Sequence, residues 1–370
     1  MTDLEERIRQ TLRDPRRELP NWPDPMRRVR RAARRQNAGL AGATAILLAA
    51  VAVPLAVLTS LGAHSSGGNP SATRTRSAAA ATAAPYPAWT TQLGGEVAYQ
   101  CGDVICLMHP NGTGKRLVPG NGPLQLPQLD PAWSPSGRQL SFRGYYGQGD
   151  GEYDLYAVNW GGCHLTRLTH GLNGTSSSWS PTGRQIAFSV PFGIYVINAS
   201  GSGLHRLIVN ATNYSYGVDA PAWSVSNRIA FVRYMPALRV GEIYTANADG
   251  SSPTALTHGA PGFGQPSWSP DGRSIAFVAN PNSVSAIEVA GADGTGAHRV
   301  SPLSWTSYSP TWTSGGKIVF LRQTSAPTAT SGASTSAYII NRDGTGLRLL
   351  YANLNATQIA WGRTTIQTSC

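Results

Sequence analysis

Few residues of this chain have the types and spacing that chemistry requires. His170 and His258 both stand in the tetrapeptide Leu-Thr-His-Gly, and two imidazoles in matching settings are the start of a metal site. Their repeats are expected to be blades two and five of a ring, diametrically opposite, so the two rings should not meet. Asp150, Glu152 and Asp154 alternate in a loop. They offer oxygen ligands for calcium, but the twelve-residue calcium-loop pattern is absent, and a solvated hairpin is the expectation. No Gly-x-Ser-x-Gly, phosphate loop, dinucleotide fingerprint or His-Glu-x-x-His occurs, so no hydrolase elbow, nucleotide cradle or zincin helix is expected. No Cys-x-x-Cys or Cys/His spacing suggests a metal either. The expectation is no catalytic residue, no cofactor and no metal.

The elements that would position any site come from a repeat. Pro266–Phe277 reads PSWSPDGRSIAF, and it recurs as PAWSPSGRQLSF from Pro131, SSWSPTGRQIAF from Ser177, PAWSVSNRIAF from Pro221 and PTWTSGGKIVF from Pro310, with a truncated copy, IAWGRTTIQ, from Ile359. Its tryptophans, Trp133, Trp179, Trp223, Trp268, Trp312 and Trp361, are spaced by 44–49 residues, a period that marks an array of one supersecondary unit. Ser-Pro-x-Gly sets a turn between alternating apolar stretches, a hairpin. Two further strands follow in each unit, such as IYVIN (Ile194–Asn198) and, after a Gly-rich turn, SGLHRLI (Ser202–Ile208). Four strands in roughly 45 residues make a propeller blade. Before Trp133 the chain supplies strands two to four of a blade but no first strand; after Trp361 it supplies one first strand and stops. The predicted fold is therefore an all-β six-bladed β-propeller of four-stranded blades, its C-terminal strand closing the first blade and removing open edges.

The Trp-Ser-Pro-Asp-Gly-Arg-x-Ile-Ala-Phe core resembles the WD-repeat-like propeller repeat of the periplasmic TolB family, over about three-quarters of the chain. The copies WSVSNRI and WTSGGKI are each one residue shorter between Trp and Ile. The resemblance implies a bacterial envelope protein that works as a protein-interaction platform. Propellers serve binding proteins and enzymes alike, so the fold leaves the function open.

The net charge of +11 suggests nucleic acid until it is divided. Residues 1–37 hold eleven Arg against six acidic residues, whereas the propeller has seventeen basic and thirteen acidic ones, so no nucleic-acid partner is expected. Residues 1–37 read as an Arg-rich cytoplasmic tail with a short helix. Residues 38–63 carry no charge, and Leu40–Leu61 as a helix would span about 33 Å, a bilayer core. The six Arg between Arg27 and Arg35 place the N-terminus inside. A single transmembrane signal-anchor helix at 38–63, a flexible linker at 64–92 and an extracytoplasmic propeller at 93–370 are the expected domains, on the cell membrane. A cleaved signal peptide is the alternative. Cys101 and Cys106 flank a tight hairpin and could bridge. Cys163 and Cys370 would then pair by elimination, one of three possible connectivities, and free buried thiols are the bland reading.

The six tryptophans are expected to be structural core between blades. A basic residue follows every turn, Arg138, Arg184, Arg228, Arg273, Lys317 and Arg363, on the face of the short turns. The opposite face carries long aromatic loops, and Tyr145, Tyr146, Tyr214, Tyr216, Asp219, Phe263, Trp305 and Tyr308 are the expected contacts for an extracytoplasmic protein, peptide or glycan. The positions expected at the channel mouth, Leu129, Thr175, Asp219, Gly264, Tyr308 and Thr357, include one carboxylate. That favours a binding module over a propeller lactonase, lyase or cyclase with a site at that mouth. A transmembrane sensor signalling through residues 1–37 is a third reading.

Overall fold

The computed structural model describes residues 88–118, 125–145, 153–191, 193–209, 218–235, 240–258, 262–280, 284–325 and 334–362, all within the compact unit Ala83–Cys370. The expected tail, anchor and most of the linker lie outside the described residues. Among the described residues no helix is long and apolar enough to cross a membrane.

After a 3-10 turn at Ala88–Gln92, blade 1 begins with β1 (Glu96–Cys101), β2 (Val104–Met108) and β3 (Arg116–Leu117). Blade 2 is β4 (Gln125–Trp133), β5 (Gln139–Tyr145), β6 (Tyr153–Asn159) and β7 (Thr166–Arg167). Blade 3 is β8 (Thr175–Trp179), β9 (Gln185–Val190), β10 (Gly193–Asn198) and β11 (His205–Val209). Blade 4 is β12 (Val218–Trp223), β13 (Arg228–Met235), β14 (Val240–Asn247) and β15 (Thr254–Ala255). Blade 5 is β16 (Phe263–Trp268), β17 (Ser274–Ala279), β18 (Ala286–Gly291) and β19 (His298–Arg299). Blade 6 is β20 (Ser307–Trp312), β21 (Ile318–Gln323), β22 (Thr335–Ile340) and β23 (Arg348–Tyr351), and β24 (Ile359–Gly362) returns to blade 1. Each blade is a four-stranded antiparallel sheet, and β24 pairs with β1 from Glu96↔Gly362 to Tyr99↔Ile359. The six-bladed ring with its C-terminal closure is thus present.

The core lies between the blades. Among the described residues six hydrophobic clusters each join two neighbouring sheets; the one between blades 4 and 5, for instance, combines Ala230 and Ile243 with Trp268, Ile275 and Phe277. Four repeat tryptophans are buried there, Trp179, Trp268, Trp312 and Trp361. Three of them donate Nε1–H backward to the blade before, Trp179 to Ala132 O (3.1 Å), Trp268 to Ala222 O (3.0 Å) and Trp312 to Ser267 O (2.9 Å). Trp361 instead donates to Gly94 O. Trp133 and Trp223 depart from the expectation of uniform core and are only half-buried. The small residue before the tryptophan does more than avoid bulk. Ser178 Oγ accepts from Trp223 N (2.9 Å), tying blade 3 to blade 4.

The turn motif explains itself in the same way. The Ser or Thr after each of the first five repeat tryptophans accepts the amide that closes the hairpin, as Ser134 Oγ does from Gln139 N and Ser269 Oγ from Ser274 N. In the two shorter copies the bond reaches one residue less, from Arg228 N to Ser224 Oγ and from Lys317 N to Thr313 Oγ1. Asn227 there takes the left-handed conformation that Gly137 or Gly272 takes elsewhere, which asparagine tolerates. In blades 3 to 6 the turn before the outer strand rests on the blade before: a Cβ on Gly250 (φ +81°) would come 2.5 Å from Leu207 O.

Blade 1 is fastened internally and to blade 2 by a buried carboxylate. Glu96 is wholly buried at the start of β1, with Arg116 Nη1 2.6 Å from its Oε1. Trp160 of blade 2 donates its indole N–H to the other carboxylate oxygen, and the Arg116 guanidinium lies 4.5 Å over that indole. Cys101 and Cys106 form a disulfide, Cα–Cα 5.8 Å. Cys163 is disulfide-bonded as well, and Cys370 lies outside the described residues.

Candidate functional site

The first strands surround the ring axis, and they are not regular. β4, β8, β12, β16 and β20 each break register against the next strand, as between Asp219 and Ala222 or Gly264 and Ser267. Four of these breaks contain a buried proline, Pro131, Pro221, Pro266 or Pro310, which has no N–H for the ladder and is at home in a bulge. The residue before each is left-handed: Asp130 (φ 57°), Ala220 (51°), Gln265 (50°) and Ser309 (53°). A non-glycine residue in that region costs about 1–2 kcal/mol. Four such residues around one axis mark a backbone held in place by its surroundings.

The five register breaks bring Asp130, Ser176, Ala220, Gln265 and Ser309 to a cavity of about 290 Å³ on the axis, which Gln358, just before the regularly paired β24, completes. This corrects the positions expected from sequence, each of which is one residue too early. The lining carboxylate is Asp130, which the sequence reading did not single out. Arg143 Nε lies 3.2 Å from Asp130 Oδ2. Burial pushes the Asp130 carboxyl above the usual carboxylate range, and the Asp219 charge adds to this; Arg143 and a hydrogen bond from Gln358 oppose it without cancelling it. Asp219 sits beside the cavity, its Oδ1 accepting from Ala220 N (2.6 Å) and Thr175 Oγ1 (3.4 Å). Gln265 Oε1 accepts from Ser309 N (2.8 Å), and Ser309 Oγ from Ile359 N (3.2 Å), so the cavity wall also links blades 5, 6 and 1. The result is a rigid polar cup with amide, hydroxyl and carboxylate groups, suited to recognising hydrogen-bonding groups inserted along the axis.

The other candidates are placed differently. His170 and His258 are both exposed and belong to blades 2 and 4, which corrects the expected diametric placement. The Thr beside each is structural: Thr169 Oγ1 accepts from Leu155 N and Thr257 Oγ1 from Ile243 N, both at 2.9 Å. Asp154 is no loop residue. It is fully buried in β6, held by Arg167 Nη2 at 2.5 Å and by Thr169 Oγ1 at 2.9 Å; Asp150 and Glu152 lie outside the described residues. Among the described residues no three of His, Cys, Asp and Glu gather as metal ligands.

Of the expected aromatic contacts, Tyr146, Tyr214 and Tyr216 lie outside the described residues. Tyr145 packs edge-on against Tyr153, and Phe263 against Phe277, both at 5.7 Å. Trp305 packs against Tyr338 (4.6 Å, tilted) and beneath the Arg322 guanidinium (3.9 Å), which also reaches the Tyr338 hydroxyl. Tyr308 packs into the clusters on both sides of blade 6 and donates its hydroxyl to Ala356 O (3.4 Å). These four rings are packed onto the blades, and the channel bulges hold the convergent polar groups.

No family model matches the chain. An uncharacterized protein of Agrobacterium fabrum is 28% identical over 207 residues, covering 53% of this chain and 67% of that protein. TolB from Acinetobacter baumannii is structurally similar, with a TM-score of 0.58 at 19% identity over 73% of this chain and 67% of that one. A putative TolB from Agrobacterium tumefaciens gives 0.53 at 21% identity over 72% and 92%. At these identities the likeness is one of fold: the chain is a six-bladed β-propeller with TolB-like structural neighbours.

Proposed function

We propose that the chain is a membrane-tethered, extracytoplasmic binding module that captures a protein, peptide or glycan at the channel mouth. The observation that carries this is the axial cup, in which four left-handed bulges and their mutual hydrogen bonds fix polar groups around an open cavity. Preorganisation of this kind lowers the cost of binding. The uncharged, apolar stretch at 38–63 behind a run of arginines supports the tether. The pairing of Asp130 with Arg143, and of Asp219 with a backbone amide, leaves both carboxylates engaged in the scaffold and supports binding over turnover.

A second reading, a propeller enzyme, draws on one observation: Asp130 is a buried carboxyl with a raised pKa facing the cavity, the setting of a general acid. One experiment separates the two. A photo-crosslinking residue at Gln265 in the full-length protein in membranes should trap a partner identifiable by mass spectrometry, and Ser309→Trp, which fills the cup, should prevent it. A partner trapped equally well with the cup filled would refute capture at this mouth. Turnover of a lactone or uronide substrate that is abolished by Asp130→Asn would establish the enzyme instead.

A further inference from the structure

The opposite mouth of the channel has a different character. Trp133 and Trp223, the two half-buried repeat tryptophans, turn up here with Pro135, Pro181 and Val225 around a second cavity of about 140 Å³, which adjoins the axial one and shares both indoles and Val225 with it. Neither indole makes the backward bond of Trp179, Trp268 and Trp312: Trp133 Nε1 has no hydrogen-bond partner, and Trp223 donates to its own turn, at Asn227 Oδ1 (3.0 Å). Val225 replaces the proline of Ser-Pro-x-Gly and is 39% exposed. The cavity is off-axis, lined mainly from blades 2, 3 and 4.

Charge on this face is uneven in the same direction. The turns of blades 5 and 6 mix both signs, with Asp271, Asp293 and Asp343 among Arg273, Lys317 and Arg342, and Arg342 lies 3.8 Å from Asp271. The turns of blades 2 and 3, residues 134–138, 159–164, 180–184 and 198–203, contain no Asp or Glu, yet carry the exposed Arg138 and Arg184. That these turns share one face follows from Trp160 N donating to Arg138 O and Ala199 N to Arg184 O. Two walls of the aromatic pocket and the uncompensated guanidiniums therefore sit on the same blades, 2 and 3, while the third wall, blade 4, carries Asp249 in its outer turn.

We infer that this mouth is a second binding site, for an acidic peptide segment that inserts one apolar side chain. The pocket holds one leucine- or phenylalanine-sized group between indole and proline surfaces, where aromatic anchors gain most. The guanidiniums select carboxylates beside it and speed their approach. A concave pocket favours an inserted side chain over a flat lipid surface. The site adjoins the axial cup, sharing Trp133, Trp223 and Val225 with it, and differs from it in Pro135 and Pro181 and in the basic turns around it.

The test is fluorescence anisotropy with full-length protein in neutral phosphatidylcholine nanodiscs. The probe is a dye-labelled pentapeptide of one phenylalanine flanked by two glutamates on each side. One-to-one saturable binding is expected, weakened about tenfold or more by Arg138→Glu with Arg184→Glu, and likewise by Val225→Asp, while Asp130→Asn at the other mouth leaves it unchanged. Both sets alter exposed side chains, and an unshifted thermal transition verifies folding. Absence of saturable binding overturns the inference, as does equal binding of a peptide with lysine for glutamate or serine for phenylalanine. Hydrogen-exchange protection of the Arg184 turn on phosphatidylglycerol nanodiscs, without peptide binding, would assign the cations to lipid and overturn it as well.

Discussion

Trp268→Phe and Trp223→Phe change the same motif position, yet the structure assigns them different costs. Trp268 is 8% exposed between blades 4 and 5, and its indole N–H is the donor to Ala222 O at 3.0 Å. Phenylalanine keeps most of the ring but leaves that part-buried carbonyl unpaired, which costs about 1–2 kcal/mol. The lost pyrrole volume adds about 1 kcal/mol. Trp223 is half-buried, and its N–H goes to Asn227, whose exposed amide water can satisfy. Only the volume loss should count there, again about 1 kcal/mol or less. Urea unfolding at constant m should therefore place the Trp268→Phe midpoint clearly below that of Trp223→Phe, by a difference of about 1–2 kcal/mol. Equal midpoints, or a larger loss for Trp223→Phe, would refute the view that the backward indole bond holds neighbouring blades together.

Three further outcomes follow from the same geometry. Gly250→Ala, whose Cβ meets Leu207 O at 2.5 Å, should destabilise measurably more in thermal unfolding than Gly296→Ala, which has the same sign of φ but nothing within 4 Å; the latter should cost only the left-handed penalty of about 1–2 kcal/mol. Asp130, with its carboxyl pKa raised mainly by burial, favours the fold when protonated, so its contribution is complete below the unfolded-state pKa of about 3.9 and is lost as pH rises through the higher folded value. Asp249, Asp293 and Asp343, held below the ordinary range chiefly by hydrogen bonds from Ser251, Thr295 and Thr345, act oppositely, supporting their turns above that pKa and ceasing to do so as pH falls through the folded values. Carbon-detected NMR titration of the aspartate carboxyls reads both directions, and a value for Asp130 below that of Asp293 would contradict the assignment. Replacing Cys101 and Cys106 together by Ser opens a cross-link five residues apart and should cost about 2 kcal/mol by the loop-entropy relation, read as a lowered urea midpoint.

Much of this architecture was legible because the repeat places each element in the same context six times. The tryptophan spacing located the blades, the Ser-Pro-x-Gly turns located the inner hairpins, and the missing first strand before Trp133 predicted that β24 would pair with β1. The channel lining was missed by one residue for a specific reason. In a regular strand the residue four before Trp would face the axis, but the bulge adds a residue and moves the next one inward. The signal was present in Asp130-Pro131, Ala220-Pro221, Gln265-Pro266 and Ser309-Pro310, since proline within a strand points to an edge position or a bulge, and these inner strands have both. The burial of Asp154 was hidden because its partner, Arg167, comes from the neighbouring strand. The unequal roles of the six tryptophans could not be read at all. They depend on which carbonyl of the previous blade comes within reach, and identical motifs carry no record of that.

The pairing of β24 with β1 also sets an order of events. Blades 2 to 6 are each contiguous in sequence, so each can form from local contacts once its own four strands exist. Blade 1 is completed only by strands from opposite ends of the chain. Local hairpins form early and distant pairings late, so blade 1 is the first written and the last finished. While the chain is being made, β1 carries an unpaired inner edge that nothing else in the ring can cover, and such an edge invites pairing with another molecule. A chain truncated before Ile359 should keep that state permanently, with five complete blades and one open seam. Its tendency to associate, measured by light scattering against the full chain, would show how much of the propeller's solubility is supplied by four residues, Ile359–Gly362.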